Sequence, residues 1–291
     1  MSTVAVPHTA TATAPAPRRP GLGAVYRWEL RKLLAQKRTF IGLGSAVAVP
    51  IIFVIALVAD SGGGGPESLP FQEFVRETGF AVPLVCLAFG AFWLLPLITA
   101  LVAGDIVATE DHNGTLKTIL TRSVERWQVF AGKVLAALTY TAVVLFGYVG
   151  IALVAGGLIW GFDPLTSLSG TEIGPGRALL LTALGTLAYL LPMSAIAAIG
   201  VLLSTLTRNS AAAVVGTLMV SIFVQIIGSI SALDALDPYL LSTQFNAWQG
   251  ILREPTDWEP IIRSAWVCAL YAVPALGWAL TVFLRRDVTG G

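Results

Sequence analysis

The sequence predicts an all-α polytopic membrane protein with six transmembrane helices, both termini cytoplasmic, and an amphipathic interfacial helix before the first span. Three observations predict it. The 291 residues are 55% hydrophobic and 12% charged, where an ordinary soluble domain carries roughly 25% charged residues. Six stretches reach the roughly 20 apolar residues that a hydrocarbon core of about 30 Å requires, and none contains Asp, Glu, Lys or Arg. Finally, fourteen of the eighteen Lys and Arg residues fall on the same side of those stretches.

The predicted spans run over residues 39–59, 80–103, 134–160, 178–206, 211–233 and 265–284. Pro50, Pro96, Pro192 and Pro274 lie inside spans, where neighbouring helices can take up the freed backbone groups. Short cytoplasmic loops retain positive charge, and an inside N-terminus places Arg27, Arg31, Lys32, Lys37, Arg38, Lys117, Arg122, Arg126, Lys133, Arg208, Arg285 and Arg286 there. The opposite face collects Asp60, Glu67, Asp163, Glu172, Asp234, Asp237, Glu254 and Asp257. Residues 1–23 are rich in Ala, Thr and Pro and lack the apolar core of a cleaved signal peptide, so they are expected to be a disordered cytoplasmic tail. Residues 24–286 form one membrane domain, and 287–291 a second short tail.

Ahead of the first span, Tyr26, Leu30, Leu33 and Leu34 recur at helical spacing, with Arg27, Arg31 and Arg38 on an adjacent stripe. Such a helix lies in the membrane interface, with Trp28 at headgroup depth and Arg27, Arg31 and Lys32 drawn to anionic lipid. The loop between the second and third spans is the most informative segment. Asn113-Gly114 is a turn signal, after which Leu116, Ile119 and Leu120 form an apolar patch on a short helix. That helix has two possible partners, a lipid surface or a groove in a cytoplasmic protein. On the outer side, residues 237–249 are too short to span and too apolar for an open loop; a segment buried against the bundle is expected. Cys86 and Cys268 lie in apolar runs with no CxxC pair, as small buried hydrophobes do. The basic residues form no aromatic-rich module, so a nucleic-acid partner has no support.

The basic amphipathic leader, then Leu101-Val102-Ala103-Gly104-Asp105, Glu110, Gly114-Thr115-Leu116, Leu120, Arg126 and Gly132-Lys133, resembles ABC-2 type transporter permeases. The resemblance covers residues 24–286 and implies that the loop after the second span supplies the coupling helix, which docks on a separate nucleotide-binding subunit. By that likeness Glu110, Asp111, Gly114, Thr115, Leu116, Ile119, Leu120 and Arg126 make the coupling contact, with Arg126 and Lys133 near the membrane edge. Ser123-Val124-Glu125-Arg126 departs from the family pattern, in which a proline commonly precedes the arginine.

A phosphate-cradling loop needs GxxxxGK[ST]. The only Gly-Lys pair here, Gly132-Lys133, is followed by Val134 and preceded by Trp127 where glycine is required. The chain is therefore not expected to hydrolyse ATP or to hold a cofactor or metal; ATP and Mg would belong to the partner ATPase. The implied function is the permease subunit of an ATP-driven exporter in the cell membrane, working with a second permease copy on a drug, peptide antibiotic or lipid. Phe92, Trp93, Thr99, Thr217, Ser221 and Gln225 are candidates for its cavity. The rival readings are a stand-alone ion-driven carrier or channel, which would normally bury an ionisable group in a span; an intramembrane enzyme, for which His8 and His112 are poorly placed; and a membrane anchor subunit.

Overall fold

A computed structural model of the chain describes residues 20–59, 76–90, 93–115, 124–167 and 169–286. The expected tails at 1–19 and 287–291, and Leu116, Ile119, Leu120 and Phe92, lie outside the described residues. The elements are α1 (Leu22–Leu34), α2 (Lys37–Ala59), α3 (Ala81–Gly90), α4 (Leu94–Ala103), α5 (Ala108–His112) and α6 (Arg126–Trp160). A two-residue hairpin follows, β1 (Leu165–Thr166) against β2 (Glu172–Ile173), antiparallel with Leu165 opposite Ile173. Then come α7 (Pro175–Thr207), α8 (Ser210–Gly228), a 3-10 segment Ser231–Tyr239, α9 (Leu241–Gln244), a 3-10 segment Ala247–Leu252, and α10 (Glu259–Leu284).

Five helices are long and apolar enough to cross a membrane, and six if the bent pair α3–α4 forms one span. The protein is an all-α, multi-pass membrane protein. Its apolar side chains face outward as well as inward: Ile41, Ile52 and Ile55 on α2, Phe223 on α8 and Val273 on α10 are exposed, which in water would be a liability but in lipid is solvation. At the centre stands α7, with 61% of its apolar window buried, against 22% for α2 and 17% for α8. It packs on α10, α8, α4 and α6.

Four boundaries differ from expectation: the last helix starts at Glu259, six residues before 265, with Pro260 in its first turn, and three others follow. The second span is two helices with axes bent by 61°; Pro96 sits in the first turn of α4, where a missing N–H costs nothing, so the break precedes it. The fifth span stops at Gly228 instead of 233, and Ser229 turns its hydroxyl back to the Ile226 carbonyl at 2.7 Å as the chain tightens into the 3-10 segment. The third span starts at Arg126, eight residues early, and its 35 residues exceed the thickness of a hydrocarbon core. The additional turns carry Lys133 into the protein.

Residues 240–252 pack against the bundle, the burial expected for 237–249. Leu240, Leu241, Phe245, Trp248, Ile251 and Leu252 are buried. The Phe245 ring meets Tyr189 of α7 edge-on at 5.1 Å, and Trp248 covers Gly185, whose added Cβ would lie 3.7 Å from the tryptophan Cβ. Cys86 and Cys268 are both buried free thiols.

Candidate functional site

The loop after α4 begins at Gly104, and the packing there requires a residue without a side chain. A Cβ at Gly104 would lie 2.9 Å from backbone atoms of Val214 in α8, and one at Gly200 of α7 would lie 2.9 Å from Ala103 Cβ. Three helices therefore meet at Ala103-Gly104. The next residue, Asp105, is 1% exposed; its carboxylate pairs with Arg38 of α2 and accepts the hydroxyls of Thr109 and of Ser210 at the start of α8. Ser204 of α7 accepts the N–H groups of Val107 (3.1 Å) and Ala108 (3.0 Å) through its hydroxyl oxygen, satisfying donors that open α5. Gly-Asp thus supplies a close approach and then a buried anion that joins α2 to α8.

One turn on, Glu110 points inward. Its carboxylate pairs with Lys133 of α6 at 2.6 Å and with Lys32 of α1. Glu29 of α1 completes the group, 2.8 Å from Lys32 and 3.3 Å from Lys133. Lys133 is 0% exposed and also donates to the Ile106 carbonyl at 3.1 Å. Two ammoniums and two carboxylates thus meet between α1, the loop and α6, with Lys133 and Glu29 fully buried and Lys32 partly open to the cavity beside it. Burial disfavours the charge on Lys32, but Glu110 and Glu29 outweigh it and raise its pKa above the usual 10.5. For Glu110, beyond the spans, burial acts upward, and the ammoniums of Lys133 and Lys32 outweigh it to hold the carboxyl below 4.5.

Asp111 faces the other way and pairs with Arg286 at 3.0 Å and Arg208 at 3.4 Å, the residues that follow α10 and α7. Arg126 donates to the carbonyls of Leu284 (2.9 Å) and Arg286 (2.8 Å), capping the end of α10. The loop base is consequently tied to α1, α2, α6, α7, α8 and α10. Its tip is not. His112, Asn113, Gly114 and Thr115 are exposed, and Gly114 adopts φ 69°, the left-handed conformation that ends a helix and that glycine adopts without steric cost. Beside these residues a cavity of about 830 Å³ is lined by Trp28, Lys32, Gln36, Glu110, Asn113 and Val129.

Of the residues singled out for coupling, Gly114 and Thr115 are presented to solvent, whereas Glu110, Asp111 and Arg126 are engaged within the chain. On the interfacial helix, Arg27, Trp28 and Arg31 are exposed, with the Lys32 ammonium 4.1 Å from the Trp28 ring centroid. Its inward stripe is Val25, Glu29 and Leu33, while Leu34 is exposed. The expected apolar stripe is therefore displaced, because Glu29 goes inward to neutralise Lys133. Glu29 escaped the sequence reading; the only available signal was its i±4 register with Val25 and Leu33.

The cavity candidates do not converge on one place. Thr99 and Ser221 are buried, Thr217 is buried with its hydroxyl on the Ala213 carbonyl at 2.7 Å, and Trp93 is half-exposed at the break in the second span. Gln225 lines a cavity near the end of α8 remote from the charge cluster. Among the described residues, no three His, Cys, Asp or Glu side chains are grouped to hold a metal ion.

Comparison with curated proteins finds no match. A family described as "Protein of unknown function (DUF2705)" matches residues 47–289, from the middle of α2 to beyond α10. That match spans most of the 291 residues, from the middle of α2 through every later helix, so the chain belongs to the DUF2705 family.

Proposed function

We propose that this protein is the permease subunit of an ATP-driven exporter in the cell membrane, with six spans and both termini inside. It moves a hydrophobic or amphipathic solute with energy from a separate ATPase that binds ATP and Mg. One observation carries the reading. The loop after the second span, the segment that resembles the ABC-2 coupling region, is clamped at its base by buried ion pairs and exposed over residues 112–115. Force applied at a tip held in this way reaches α1, α2 and α6 together, as a docking element requires; a loop serving only to connect two spans needs no such anchorage. The low burial of α2 and α8 leaves apolar faces for lipid and for a second permease copy.

Lys133 is the one observation that favours the stand-alone carrier, because an ionisable group inside a spanning helix is a functional candidate by default. Its ammonium is already held by two carboxylates and a carbonyl, which suits a fixed structural pair better than a transport site.

The test is purification of the tagged chain in mild detergent from its native host, with mass spectrometry of what accompanies it. A stoichiometric nucleotide-binding ATPase is expected, and deletion of residues 115–120 should abolish stimulated ATPase activity while leaving membrane insertion intact. A chain that purifies alone, under conditions that preserve a control transporter complex, overturns the proposal.

A further inference from the structure

At the end of α8 remote from the charge cluster, a cavity of about 310 Å³ lies under the outer segment. Gln225 and Gly228 of α8, Asp237 of the 3-10 segment, and Thr243, Phe245 and Asn246 line it. Every other carboxylate among the described residues that is partly or fully buried has a basic partner: Glu29, Asp105, Glu110 and Asp111 on the inner side, Glu254 and Asp257 on the outer. Asp237 is half-buried and has none among those residues. Its Oδ1 accepts the Thr243 hydroxyl at 2.7 Å, which orients the carboxylate without neutralising it.

An anion partly withdrawn from water and unpaired attracts a cation. We propose that this cavity binds the ammonium group of an amphiphilic amine, with Asp237 as counter-ion. Several features select that chemistry. Calcium takes six to eight oxygen ligands, and Asp237 is the single acid among the cavity's described lining residues. The amide oxygen of Asn246 accepts from Gln249 Nε2 at 3.4 Å and keeps a second lone pair, of the type that accepts from a primary or secondary ammonium. Phe245 and Ala88 supply apolar wall for the carbon chain. The volume lies at the small end of ligand pockets, which fits a headgroup rather than an entire large solute. Gly228 keeps the space open: a Cβ there would stand 3.1 Å from Ser242 Oγ and 3.7 Å from Asp237 Oδ1.

The place of this site in a transport cycle rests on the exporter reading, but binding does not. The purified full chain, in nanodiscs of neutral phosphatidylcholine without any ATPase, is titrated with the fluorescent primary amine dansylcadaverine and followed by anisotropy. Saturable binding is expected, displaced by octylammonium and not by octanoate. Asp237→Asn should weaken it about tenfold or more, since a hydrogen-bonded charge is lost, and Gly228→Leu should remove it by filling the cavity. Asp234→Asn, an exposed neighbour, should leave it unchanged. Equal binding by Asp237→Asn, or displacement by octanoate as effective as by octylammonium, overturns the proposal. Failure in this assay leaves the exporter reading standing, and a chain without an ATPase partner leaves this binding result standing.

Discussion

Replacing Lys133 by methionine tests the reasoning on the charge cluster most directly. The substitution keeps length and volume and removes one charge from a group of two ammoniums and two carboxylates. In the native chain the Lys133 ammonium is fully buried, with Glu110 at 2.6 Å and Glu29 at 3.3 Å. Without it, two carboxylates share the single ammonium of Lys32, with Glu29 still buried under α1. Breaking a buried pair by removing one partner costs about 3–5 kcal/mol, because the other charge stays buried without compensation. At 1.4 kcal/mol per power of ten, that lowers the folded-to-unfolded ratio by roughly two to three and a half powers of ten. The second variant, Lys133→Met with Glu29→Gln, restores neutrality by leaving Lys32 opposite Glu110. It should recover a large part of the loss, since replacing an entire buried pair by neutral groups of similar volume is often close to neutral. The assay is unfolding of the purified chain in mixed detergent micelles by increasing dodecyl sulfate, read by tryptophan fluorescence and far-ultraviolet circular dichroism. Wild-type stability in Lys133→Met, or a double variant as unstable as the sum of its single changes, would refute the coupling between α1 and α6.

Two further outcomes follow from the same geometry. Gly104→Ala drives a Cβ to 2.9 Å from the α8 backbone and should cost about 1–3 kcal/mol, seen as a lower thermal midpoint; Gly44→Ala, with nothing within 4 Å, should be neutral or stabilise by up to about 1 kcal/mol. The pH dependence has a defined sign. Glu110 is held below its ordinary 4.5, so its contribution to stability is complete above 4.5 and lost as pH falls through the lower folded value; the unfolding midpoint should drop in acid, and Glu110→Gln should flatten that drop.

The sequence by itself determined the membrane class, the approximate position of each apolar stretch and the distribution of charge, because hydropathy and Lys/Arg placement are local properties that the bilayer reads directly. It also marked the loop at 104–126 and the burial of residues 237–249, since Gly-Asp, Asn-Gly and a short apolar run each constrain the backbone where they stand. Tertiary structure alone decided which charges are hidden. Glu29, Lys133 and Glu110 are separated by about a hundred residues or fewer along the chain and become one cluster only when α1 crosses α6 below the loop. For this reason Lys133, at the edge of a span by composition, proves fully buried, and Glu110, a loop residue by sequence, turns inward. Pro96 and Gly228 carried signals for a break and a stop, but whether a proline bends a span or merely rides in it depends on what neighbours supply to the freed backbone. Asp237, beyond the end of α8, is the same lesson: among the described residues no basic side chain pairs with it. Its solitude is a relation to residues that fold around it, which the linear chain does not record.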